Sequence, residues 1–83
     1  MTKSIPDPYE LVARALECER ESLDEHAGLS KHPRWDSFGH LNVMMALEES
    51  YGIPIDDQTI VRFEKMQEIV KVYGELQGTS QVG

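Results

Sequence analysis

Asp36, Ser37 and His40 bring a carboxylate, a hydroxyl and an imidazole together in the run Asp36-Ser37-Phe38-Gly39-His40. These are the groups of a hydrolase triad, which needs serine-to-histidine and histidine-to-carboxylate hydrogen bonds. Ser37 and His40 can meet at i, i+3 on a helix. Asp36 stands one residue ahead of Ser37, however, where it caps a helix more naturally than it orients His40. No oxyanion glycine loop accompanies the set, and the hydrolase is set aside. A different chemistry suits Ser37 better. At the first turn of a helix, free backbone N–H groups and the helix dipole favour a phosphate attached to its hydroxyl. The plain alternative is that Ser37 or Asp36 serves only as an N-cap.

The remaining reactive groups carry less. His26, His32 and His40 are not at metal-ligand spacing with the cysteine or a helical carboxylate, so no metal site is expected. They read as solvent-exposed or cap-region side chains. Cys18 is flanked by Glu17 and Glu19, whereas a reactive thiol wants cationic neighbours. It reads as a small packing residue.

The elements that must position Ser37 follow from spacing. Asp7-Pro8-Tyr9-Glu10 is a helix start, with Asp as N-cap, Pro at the first helical position and Glu three residues after the cap. Leu11, Val12, Ala15 and Leu16 continue at helical spacing and predict a first helix over 8–20. Residues 21–36 form a long connection tied to the core by Leu23 and Leu29. A second helix runs from Ser37 to Tyr51-Gly52, where glycine supplies the stop. Its core stripe is His40, Val43, Met44, Leu47 and Tyr51; Phe38, Leu41 and Met45 form a second apolar stripe facing elsewhere. Asp56 or Asp57 caps a short third helix ending near Arg62, with Ile60 and Val61 turned inward. A last helix over 65–76 carries Met66, Ile69, Val70 and Tyr73, and residues 78–83 form a flexible polar tail. No segment reads as a sheet. The chain is expected to be a single all-α domain over 1–77, a small bundle with a short third helix.

Composition limits the function. The 83 residues and 9.5 kDa make one small domain. Area scaling lets roughly three-fifths of its surface be buried, which serves one core and excludes a two-lobed enzyme. The longest apolar run, Val43 to Leu47, is far short of a membrane span. Residues 1–8 lack the apolar centre of a signal peptide, so a cytoplasmic location is expected. The net charge is −7, with 15 acids against 8 bases. Such a chain repels nucleic acid and attracts basic protein surfaces. From Asp36 to Val61 there is no Lys or Arg, while Asp36, Glu48, Glu49, Asp56 and Asp57 are acidic.

Trp35-Asp36-Ser37-Phe38-Gly39-His40-Leu41, followed by Met45-Ala46-Leu47-Glu48-Glu49-Ser50-Tyr51-Gly52-Ile53-Pro54-Ile55, resembles the acyl carrier protein family. That family carries Asp-Ser-Leu at the head of its second helix, an apolar-Leu-Glu-Glu run, an aromatic residue, then an Ile before an acidic third helix. The likeness covers about residues 8–75 without a gap, and the pattern over 35–57 is its specific part. Phe38 stands where the family has Leu. The resemblance implies a four-helix, acyl-carrier-like bundle that is not an enzyme. Ser37, beside Asp36, would bear a covalent 4′-phosphopantetheine arm, transferred from coenzyme A by a magnesium-dependent phosphopantetheinyl transferase. The arm would hold acyl or aminoacyl groups as thioesters. The expected partners are a loading ligase and acyl-processing enzymes whose basic patches meet Phe38, Leu41, Met45, Glu48 and Glu49. A monomer is expected.

Two positions depart from the fatty-acid carriers. Many of those have acidic residues just after the serine and again three positions on, where this chain has Gly39 and Asn42. Trp35 ahead of the motif looks more like D-alanyl carriers and stand-alone carriers of specialised pathways. The alternative class is an acidic helical adaptor of the same fold whose Ser37 is never modified.

Overall fold

The computed structural model describes residues 5–82, with side chains through Gln77. Four helices make up its main elements: α1 (Pro8–Leu16), α2 (Ser37–Tyr51), α3 (Asp57–Arg62) and α4 (Met66–Val82), with a 3-10 turn at Arg20–Ser22. No strand occurs among the described residues, only a single antiparallel bridge between Gly28 and Lys65. The expected all-α bundle with a short third helix is the fold observed.

α1 begins as its sequence requires. Asp7 accepts a hydrogen bond from the Tyr9 amide at 2.9 Å, and Pro8 occupies the first turn, where no N–H is needed. The helix ends sooner than expected, at Leu16 rather than at 20. Glu17 takes a left-handed conformation (φ 55°), and its N–H turns back to the carbonyls of Ala13 and Arg14. Glutamate is a good helix former, and nothing local in the sequence marks this stop.

α2 matches its expected bounds. Asp36 accepts from the Gly39 amide at 2.8 Å, and Gly52, at φ 72°, ends the helix in the left-handed region that glycine adopts freely. α3 opens with a capping box, in which Asp56 and Thr59 exchange hydrogen bonds of 2.9 Å each way. α4 runs past the expected end at 76, its backbone helical to Val82, so the segment expected as a tail is helical over 78–82; Gly83 lies outside the described residues.

The core lies where α1 packs on α2 and α4. Trp35, Val43, Met44, Leu47, Phe63, Met66 and Ile69 are its fully enclosed centre, with Leu11, Val12 and Leu16 from α1. Leu23 is buried and Leu29 half-buried, as expected of residues tying the long connection down. Cys18 is half-buried against the same core. The Tyr51 hydroxyl donates to the Pro6 carbonyl at 2.7 Å, and burial pushes its phenol above the ordinary value.

Two inward assignments are corrected. Val61 is 63% exposed, because α3 is one and a half turns long and meets the core through Ile60 and the following Phe63. On α4, Val70 is exposed and Val72 is buried instead. The inner face of α4 runs through Met66, Ile69 and Val72, each three residues on from the last, and Val70 stands beside that line.

Candidate functional site

Ser37 is the first residue of α2, and it is exposed. The cap leaves it free for chemistry. Asp36 spends one carboxylate oxygen on the Gly39 amide, and its own carbonyl accepts the His40 amide at 2.8 Å. The hydroxyl and amide of Ser37 and the amide of Phe38 are left with no hydrogen bond to another described residue. These unpaired N–H groups lie at the positive end of a four-turn helix, an arrangement that accepts a phosphate.

The hydrolase reading fails on the hydrogen bonds. His40 is buried, and both of its ring nitrogens are engaged away from Ser37. Trp35 Nε1–H donates to Nδ1 at 3.0 Å, and Nε2 lies 2.7 Å from the Ile60 carbonyl oxygen. Because the indole can only donate, Nδ1 is the acceptor and Nε2 carries the proton. His40 therefore cannot act as a base toward Ser37. His40 is buried as its place on the α2 core stripe implied, which corrects the separate reading of all three histidines as exposed or cap-region side chains. His26 is exposed; His32, half-buried, pairs with Ser22 through Nε2 at 2.9 Å and with the Arg34 amide through Nδ1 at 3.1 Å.

The Trp35–His40–Ile60 chain is the part of this region that sequence reasoning missed. A signal was present. His40 is the one polar member of the α2 core stripe, and a buried imidazole needs partners for both nitrogens. A tryptophan just ahead of the helix is a natural donor.

The chain borders a recess beside Ser37, between α2 and α3, of about 220 Å³. Leu29, Leu41, Met44 and Ile60 give it apolar walls, and His40 and Glu64 add polar ones. Ser37 stands at its edge.

The second stripe of α2 is exposed as expected: Phe38 at 76%, Leu41 at 53% and Met45 at 52%. Glu48 and Glu49 are exposed one turn beyond Met45. Asp36, Glu48, Glu49, Asp56 and Asp57 make no ion pair with another described residue, since the ion pairs present join other groups. The exposed face of α2 is thus apolar side chains flanked by unneutralised carboxylates.

Gly39 has a packing explanation. A Cβ there would fall on the Arg34 carbonyl oxygen and lie 2.8 Å from Leu16 Cδ2. An acidic side chain at this position has no room, because the connection before α2 and the end of α1 press against the first turn. Among the described residues no group of three or more His, Cys, Asp or Glu side chains is placed to hold a metal ion. None of the described helices is long and apolar enough to cross a membrane. No protein-family model, no curated protein and no solved structure matches this chain.

Proposed function

We propose that this chain is an acyl carrier protein, with Ser37 as the attachment point of a 4′-phosphopantetheine arm. One observation carries the proposal: Ser37 is an exposed, unbonded hydroxyl at the head of α2, with free amides beside it and an apolar recess at its side. The residues fit the group. The amides of Ser37 and Phe38 would face its phosphate, and Leu29, Leu41, Met44 and Ile60 offer apolar surface to what it carries. When bound, the arm supplies a terminal thiol that holds an acyl or aminoacyl group as a thioester.

The protein's own residues then have two tasks. Asp36 fixes the first turn, so that Ser37 is presented outward. Phe38, Leu41 and Met45, flanked by Glu48 and Glu49, form the face that meets the basic patches of the transferase, the loading ligase and later acyl-processing enzymes. The chain is a substrate of those enzymes and does no catalysis itself.

Intact mass tests the proposal. Incubation with coenzyme A, magnesium and a phosphopantetheinyl transferase should add the mass of the arm to the wild type and leave Ser37→Ala unchanged. Equal modification of both would move the attachment site elsewhere. No gain with either would favour the unmodified adaptor.

A further inference from the structure

We propose that His40 is an acid-operated switch in the core of this protein, held in one position by Trp35 and drawn to a second by Glu64. The neutral ring is fully engaged. Trp35 Nε1–H donates to Nδ1 at 3.0 Å, Nε2–H donates to the Ile60 carbonyl at 2.7 Å, and the Trp35 and His40 rings stack with centroids 6.2 Å apart. An indole nitrogen only donates, so its bond to Nδ1 exists only while that nitrogen is bare. A proton from solvent turns Nδ1 into a second donor, and two N–H groups then face each other. Trp35 is fully enclosed and His40 is 5% exposed, so the orphaned pair has little access to water.

The ring has a place to go. The recess that His40 borders, about 220 Å³, has room for roughly seven water molecules and so for an imidazole. Protonation leaves the Nε2–H donor unchanged, so only the Trp35 side is disrupted. The ring therefore moves off Trp35 toward the recess, on whose wall Ile60 and Glu64 both stand. Glu64 is the only other charged residue on that wall, and its carboxylate has no hydrogen bond or ion pair with another described residue. It is ready to accept from an imidazolium. The remaining charges of the surrounding elements are turned elsewhere. Asp36 caps Gly39, Arg34 of the connection reaches the Leu16 carbonyl and Glu17, and Arg62 of α3 is paired with Glu68 of α4. On α1, Glu10 and Arg14 pair with each other, and Asp57 of α3 is exposed away from the recess wall. Acid thus places a positive charge in the recess that Ser37 edges. The switch rests on the hydrogen bonds of the core and is independent of the carrier reading of Ser37.

Trp35 is the single tryptophan of the chain, so its one indole N–H resonance reports on the switch without labelling at a new site. The full-length protein is titrated from about pH 8 to about pH 5, the range in which histidine changes charge, with circular dichroism followed in parallel. In the wild type the indole proton should move upfield in a single step, as its hydrogen bond is lost, while helix content stays constant. The ring signals of His40 should follow the same step. In Glu64→Gln the step should move to lower pH, because the acid state has lost its carboxylate. His40→Gln has no imidazole to protonate and should show no step. An indole resonance that stays fixed down to about pH 5 in the wild type would overturn the proposal, and this comparison needs no variant to fold. Loss of helix in the same step would overturn it too, since His40 would then report unfolding. A step that persists in folded His40→Gln would assign the titration to another group, and an unshifted step in Glu64→Gln would remove Glu64 from the acid state.

Discussion

The indole N–H of Trp35 donates to Nδ1 of His40 at 3.0 Å inside the core, and that bond decides which nitrogen of His40 faces α3. Both partners are buried, so removing either leaves a polar group unpaired. Trp35→Phe should cost about 1–3 kcal/mol for the stranded imidazole nitrogen alone, with a further loss for the volume removed. A variant that loses less than about 0.5 kcal/mol in chemical denaturation would show that the bond adds nothing to stability.

Met45 and Leu47 lie two residues apart on α2 and should behave oppositely. Met45 is half-exposed, and Met45→Ala should change stability by no more than about 0.5 kcal/mol. If the proposed carrier role holds, it should nonetheless slow loading by a cognate ligase or transfer to the next enzyme. Leu47 is fully enclosed, and Leu47→Ala should lose about 2–5 kcal/mol. Thermal melts paired with loading assays check both. An unfolded Met45→Ala beside a stable Leu47→Ala would mean that the proposed docking face is misassigned.

Gly39→Ala should destabilise the protein although alanine is the better helix former. The added methyl meets the Arg34 carbonyl and Leu16, and a clash of this kind costs about 1–3 kcal/mol. An alanine variant at least as stable as the wild type would show that the connection before α2 yields easily.

Acid should weaken the start of α1. Burial works against the charged form of Asp7, but hydrogen bonds from Arg20 and the Tyr9 amide and the Arg20 charge outweigh it, holding the carboxyl below its ordinary value of 3.8. A depressed folded-state value means stability that is complete above the ordinary value and is lost as pH falls through the lower one. The Asp7–Arg20 pair is partly exposed, so solvent screening keeps the charge contribution below about 1 kcal/mol. Asp7→Asn retains a capping oxygen and should differ from the wild type near neutral pH, the gap closing toward about pH 2. Urea denaturation across that range is the measurement. A gap that stays constant would assign the effect to something other than the charge.

The stretch from Asp36 to Val61 has five acids and no Lys or Arg, and none of the five acids is paired with another described residue. Their mutual repulsion opposes compaction, and added ions screen it. The melting temperature should therefore rise with sodium chloride, and more steeply with magnesium. A flat response across a wide salt range would show that the face is under no electrostatic strain.

What could be read from the sequence was what depends on near neighbours. The bounds of α2 followed from Asp36 and Gly52, its two apolar stripes from the turn of the helix, and the cap of α3 was narrowed to Asp56 or Asp57, of which the structure uses Asp56. The exposure of Ser37 belongs to the same class, because a first-turn residue after a capping aspartate points away from the helix's own hydrogen bonds. Contacts distant along the chain decided the rest. α1 stops at Leu16 through a left-handed glutamate that no local rule marks. Val61 faces outward because so short a helix can turn only one side to the core, and the core was reached through Ile60 and Phe63. His40 stood on the core stripe from the start, but its partners lie on either side of α2, Trp35 five residues before it and Ile60 twenty after. Periodicity reports which face of a helix is apolar; only the packed chain determines what stands opposite that face, and there the polar atoms of the core find their partners.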